Sequence, residues 1–134
     1  PRFDQQCIPS DVANLLGFLE PRESTVLTGA RLRANEEVEH WAETYLTVHW
    51  RLREFGCSGQ PMDFASYVQR CEWGPLTLDE LPLVDGDLAV GGSAIAELPM
   101  ERLAETGSIV RERHRAFNWL LGFERVYSEV TTDT

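Results

Sequence analysis

The sequence predicts a mainly α domain of the α+β kind, built on a long central helix with one small β-hairpin. Three observations carry that prediction. Apolar residues between Arg22 and Phe55 recur at helical spacings over a long stretch. A second helical segment, Ser108 to Gly122, carries an apolar face near the C-terminus. Between them, two short β-prone runs flank Asp85-Gly86, a dipeptide that favours a tight hairpin turn.

The elements follow in order. Ser10-Asp11 can cap a short helix carrying Val12, Leu15, Leu16 and Leu19, which Pro21 ends. In the long segment Leu27, Ala34, Val38, Trp41, Tyr45, Val48, Leu52 and Phe55 form one stripe. Leu32, Leu46 and Trp50 form a second, so the helix expects neighbours on more than one side. Gly56 serves as C-cap, and Gly29 marks a point of weakness. Cys57 to Pro61 reads as a loop. Asp63 caps a third helix with Phe64, Tyr67, Val68 and Cys71 inward, and Trp73-Gly74-Pro75 stops it. Thr77 to Glu80 has the pattern of a capping box for one short turn.

Leu81–Val84 and Asp87–Val90 are the hairpin strands, with Gly91-Gly92 and Ala94-Ile95 closing or extending them. Pro99 starts a helix at its first position, which Gly107-Ser108 interrupts. The last helix ends at Gly122, and Val126 to Thr134 reads as extended. The whole is expected to form one domain over residues 1–134, complete or cut from a longer chain, with residues 1–20 as a peripheral segment.

Charge narrows the function classes. The chain of 134 residues has a net charge of -10, and all its basic side chains are arginine. Nucleic acid calls for a basic surface, so it is not an expected partner. A basic protein is a natural partner for such a chain, a neutralised toxin among them on charge alone. No apolar run reaches membrane-spanning length. Cys7, Cys57 and Cys71 are odd in number, contain no C-x-x-C pair, and read as reduced, partly buried cytoplasmic thiols.

Placed at 100° per residue, Ile109, Val110, Ala116, Phe117, Leu120 and Leu121 share a face, with Arg113 near its centre and His114 at its edge. A guanidinium stays charged, so burying Arg113 requires an acidic partner. Glu37, on the flank of the long helix's stripe, is the best placed; Asp63, Glu97 and Asp133 are alternatives. Glu37, Glu112, Arg113, His114 and Asn118 therefore form a candidate polar network, or else a site for an anion or small molecule, with His114 as proton donor or acceptor. Trp119, with Arg115, and Trp50 are the candidate interaction surface, since exposed tryptophan beside arginine is the usual composition of a binding hot spot; for Trp119, packing against the tail is the favoured alternative.

Other chemistry finds little support. Glu37-x-x-His40 is half of a di-iron carboxylate pattern with no second half, so no metal is expected. Ser93 lacks the nucleophile-elbow glycines, and Cys57 at a helix C-terminus is poorly placed for a thiolate. The Gly86 to Gly92 spacing has no lysine after it. No catalytic residue and no cofactor are expected.

The string Arg111-Glu-Arg-His-Arg-Ala-Phe-Asn-Trp-Leu-Leu-Gly122, followed by the Val-Thr-Thr-Asp-Thr tail, resembles the bacterial domain of unknown function 4272 family. Trp50-Arg-Leu-Arg-Glu-Phe55 and Gly86-Asp-Leu88 with the following Gly-Gly look like further blocks of it. The resemblance covers most of the chain, except the first twenty-five residues. It implies a self-contained, mainly helical cytoplasmic domain. It implies no activity, cofactor or catalytic residues. Three classes of function are thus expected: a non-catalytic protein-interaction module first, an anion or small-molecule binder centred on Arg113 and His114 second, and a structural homo-oligomer third.

Overall fold

The computed structural model describes residues 3–17, 29–31 and 33–134. Among these residues it shows four helices, a small three-stranded antiparallel sheet and two short 3-10 turns. The mainly α, α+β class is therefore correct, and α2 (Asn35–Ser58) is the long central helix. It packs chiefly on α4 (Met100–Leu120).

Helix α1 (Pro9–Leu16) begins at Pro9 rather than with a Ser10-Asp11 cap. Proline at a first helical position forfeits an N–H that would have no intrahelical partner anyway. Gly17 closes it in the left-handed conformation. None of its residues is buried. Leu19, Pro21, Arg22, Leu27 and Leu32 lie outside the described residues. The chain just before α1 behaves differently: Phe3 is buried in the core and Asp4 pairs with Arg102 of α4 at 3.1 Å.

Helix α2 starts at Asn35, later than the periodicity predicts, and Gly29 lies in a turn ahead of it. At its far end Gly56 stays helical. Gly59 is the cap, at φ 63°, donating its N–H to the Phe55 carbonyl at 2.7 Å. Apolar packing decided this: the turn containing Phe55 still rests on the core, so the helix runs on past Gly56. Helix α3 (Phe64–Arg70) has the expected cap, with the Asp63 carboxylate accepting from Ser66 N at 2.9 Å. Thr77 to Glu80 does not form a helical turn. The Thr77 hydroxyl accepts from Asp79 N instead, and Glu80 adopts a positive φ of 60°.

Strands β1 (Leu83–Val84) and β2 (Asp87–Val90) pair across Asp85-Gly86, both at positive φ as a two-residue hairpin of this hand requires. Gly91-Gly92 then turns β2 into β3 (Ser93–Ala94), so the hairpin is extended to three strands. All four residues of β2 are buried. Helix α4 runs through Gly107-Ser108 without interruption, with Pro99 as its N-cap. After it, Tyr127–Glu129 makes a 3-10 turn and Val130 returns to the core.

The inward face of α4 differs from the one expected. Its buried residues are Leu103, Thr106, Val110, His114 and Asn118, with Phe117 partly buried beside them. Leu120 is exposed. The register of the helix is set over its full length, and Leu103 and Thr106 rotate the buried stripe toward His114 and away from Arg113. These residues recur at spacings of three and four, as a core-facing stripe should.

Candidate functional site

The fully buried guanidinium belongs to Arg51 of α2, not to Arg113. Arg51 is 0% exposed, and Asp87 on β2 is 4% exposed. The Arg51 Nε donates to Asp87 Oδ1 at 2.7 Å and Nη2 donates to Oδ2, a bidentate clasp. Arg51 also reaches Glu54 and the Gln60 carbonyl. Asp87 accepts in addition from the backbone N–H groups of Met62 and Leu88. Burial works to raise the Asp87 pKa, but the Arg51 hydrogen bonds, the two N–H groups and the Arg51 charge outweigh it and hold the carboxyl below its usual range. This is a structural keystone joining α2 to the sheet. The signal was present in the sequence: Arg51 sits three residues after Val48 and four before Phe55, inside the stripe itself.

Arg113 is partly buried. It donates to the Tyr45 hydroxyl at 3.1 Å and to the Gln5 carbonyl, and its guanidinium lies over the Tyr45 ring. Glu37 is not its partner; that carboxylate pairs with Arg33 on the surface. Glu112 is half exposed and lies near Arg111 and Arg115. Asn118 donates to the Thr131 carbonyl at 3.1 Å, tying the tail to α4. The five residues expected as one network are thus divided among separate contacts, because rotation of the α4 face turns Arg113 and His114 to different sides.

His114 is 4% exposed and lies against His49 of α2, with the two Nδ1 atoms 3.1 Å apart. One Nδ1–H donates to the other Nδ1, so at least one ring must be neutral for the bond to exist. Burial, and then the charge of His49, lowers the His114 pKa to about 4. Burial, and then Arg53 and Arg111, lowers that of His49. Both imidazoles are therefore neutral near pH 7. His49 lines one cavity, of about 590 Å³, with Arg53, Arg111 and Thr132. His114 lines another, of about 440 Å³, with Glu39, Glu43, Asn118 and Asp133. Arg113 faces a third, of about 950 Å³, with Arg31, Arg33 and Trp41. Arg113 and His114 thus line different cavities.

The two tryptophan candidates part company. Trp50 stacks on Tyr67 with ring centroids 4.6 Å apart and on Phe64, and meets Trp73 at a tilt, so it is only partly exposed and packs against α3. Trp119 is 43% exposed at the end of α4. It contacts Tyr127 edge-on, and its Nε1 points to the Arg125 carbonyl at 3.5 Å. Leu120, Phe123, Val126 and Tyr127 are exposed around it, Phe123 at 64%. Arg115 is half-buried nearby, its Nη1 at 3.5 Å from Glu112.

Among the described residues, no three His, Cys, Asp or Glu side chains gather as metal ligands. Among the same residues, no helix is long and apolar enough to cross a membrane. No family model, curated protein or solved structure matches the chain.

Proposed function

We propose that this protein is a non-catalytic interaction module that docks a partner protein on the surface around Trp119. One observation carries the reading. Five large apolar side chains, Trp119, Leu120, Phe123, Val126 and Tyr127, are exposed within one short stretch of an otherwise strongly acidic chain. Scattered exposed apolar residues need no explanation, but a local cluster of them, centred on tryptophan and tyrosine and flanked by arginine, has the composition of a binding hot spot. The separation of Arg113 from His114 weighs against a single small-molecule site made by both. Cytoplasmic location, and membership of the family that the Arg111–Gly122 string resembles, belong to the same proposal and add no activity to it.

The test is site-directed crosslinking followed by purified binding. A photoreactive phenylalanine at Phe123 is used to trap the neighbour in the native cell. The trapped protein is then purified, and its affinity is measured for the wild type and for Trp119→Ala/Phe123→Ala. The double substitution should leave the fold intact by circular dichroism and weaken binding by at least about tenfold. Equal affinity for both would refute the surface. Trapping of a second copy of the chain, with a concentration-dependent mass that the double substitution abolishes, would make the surface a homo-oligomer interface instead.

A further inference from the structure

The cleft between the C-terminal half of α2 and the N-terminal half of α4 differs in charge from the rest of the molecule. Its volume is about 590 Å³. Arg53 of α2 and Arg111 of α4 line it, together with buried His49, Ser108 and Thr132. Leu52, Leu103, Ala104 and Met100 supply an apolar wall. No aspartate or glutamate of the described residues lines it, in a chain with 22 acidic residues and 12 basic ones. The other two cavities described above both include carboxylates.

The two arginines converge. After burial, the charges of Arg53 and then Arg111 lower the His49 pKa, so both guanidinium groups lie near one imidazole. Neither is neutralised within the cleft. Arg53 donates to the carbonyl and hydroxyl of Thr134 and forms no ion pair among the described residues. Arg111 has one carboxylate near it, that of its neighbour Glu112 at 3.6 Å, and Glu112 does not line the cleft. A guanidinium carries five N–H donors, so each keeps donors for a further acceptor.

Two glycines give the cleft its room. Gly56 and Gly107 line it from inside α2 and α4. Glycine weakens a helix interior, so a close approach of other atoms is the usual reason for it. Here a Cβ at either position would meet no neighbouring atom of the described residues within 4 Å. Tight packing therefore does not call for these glycines, and a side chain at either would take up space in the cleft.

We propose that this cleft binds a small organic carboxylate, its oxygens held by Arg53 and Arg111 and its apolar body resting on Leu52, Leu103 and Ala104. Planar guanidinium forks match a carboxylate, and two of them repel a cation. The apolar wall favours such a ligand over an inorganic anion, which would leave the wall uncovered. None of Trp119, Leu120, Phe123, Val126 and Tyr127 lines the cleft, so this site is separate from the docking surface and does not rest on it.

Hexanoate tests this on the full chain. Hexanamide has the same shape without the charge, and acetate has the charge without the body. The Gly56, Gly107 and Ser108 amides and the His49 ring are followed by NMR. Hexanoate should give a saturable shift at millimolar concentrations and bind at least about tenfold more tightly than either control. Arg53→Gln/Arg111→Gln should lower its affinity by about tenfold. Gly107→Leu removes no charge and improves helix propensity, so it should keep or raise Tm while lowering hexanoate affinity by about tenfold. Equal binding of hexanamide would overturn the carboxylate, and equal binding of acetate or inorganic phosphate would overturn the apolar body. No saturable shift, or unchanged affinity in either variant, would overturn the site.

Discussion

Arg51 and Asp87 form a bidentate ion pair sealed between the central helix and the middle strand, with the guanidinium wholly removed from solvent. Removing one partner of such a pair strands a buried charge, which costs about 3–5 kcal/mol. Asp87→Asn keeps the shape and two of the acceptor contacts but not the charge. It should lower the denaturation midpoint strongly. Arg51→Met/Asp87→Leu, which removes both charges, should be markedly less damaging than either single change. Urea unfolding of the two singles and the double checks this. Equal destabilisation in all three would mean that packing, not charge, dominates.

The same pair is only half visible in the sequence. Periodicity located α2 and α4, and Asp85-Gly86 located the turn, because each is governed by contacts between neighbours in sequence. Helix phase is another matter. The stripe read from Ser108 to Gly122 centred on Arg113, whereas Leu103 and Thr106, two turns and one turn before Val110, shift the buried face onto His114. Choosing between two arginines that each lie within an apolar stripe depends on where an acid is delivered in space. Asp87 comes from a strand distant in sequence, and nothing local to Arg51 or Arg113 encodes that. His49 and His114 could not be paired for the same reason. Trp119 was legible because it lies off the apolar face by either phasing.

The histidine pair predicts a pH dependence with a definite sign. Both folded-state pKa values are lowered, that of His114 from 6.5 to about 4. A base with a lowered folded pKa binds fewer protons in the native state, so its contribution is complete above the unfolded value. It is lost as pH falls from about 6.5 toward about 4. Asp87, lowered in the fold, adds loss in the same direction below the ordinary carboxylate range. Arg53 on α2 and Arg111 on α4 oppose a positive charge on His49. Stability should therefore fall below pH 6.5, and His114→Gln should flatten that part of the profile. Ring-proton titration by NMR should show His114 still neutral at about pH 5. A His114 titration midpoint near 6.5 would contradict it.

Gly86 ties the hairpin turn to the cap of α3. Its φ is +81°, and a Cβ placed there would meet the Asp63 carboxylate at 3.3 Å. Gly86→Ala combines the left-handed penalty of about 1–2 kcal/mol with displacement of the capping group. Asp63→Ala alone should cost about 1 kcal/mol through the lost cap. The double variant should be less destabilised than the sum, because the contact is shared. Strict additivity in thermal unfolding would show that the added methyl group never reaches the cap.

Two buried threonines make opposite predictions from the same chemistry. Thr106 of α4 is 0% exposed, and its hydroxyl has no partner among the described residues. Thr47 of α2 is equally buried, but its hydroxyl donates to the Glu43 carbonyl at 2.8 Å and accepts from Thr77 N at 2.9 Å. Valine is nearly the same shape as threonine and similar in helix propensity, so Thr→Val isolates the hydroxyl. Thr106→Val removes a desolvated group that gains nothing in return and should stabilise the fold by up to about 1 kcal/mol. Thr47→Val leaves the Thr77 N–H without its acceptor and should destabilise it by about 1–3 kcal/mol. Differential scanning calorimetry of the two variants reads the contrast directly, as a rise in Tm for one and a fall for the other. A fall for both would mean that the Thr106 hydroxyl is satisfied in solution.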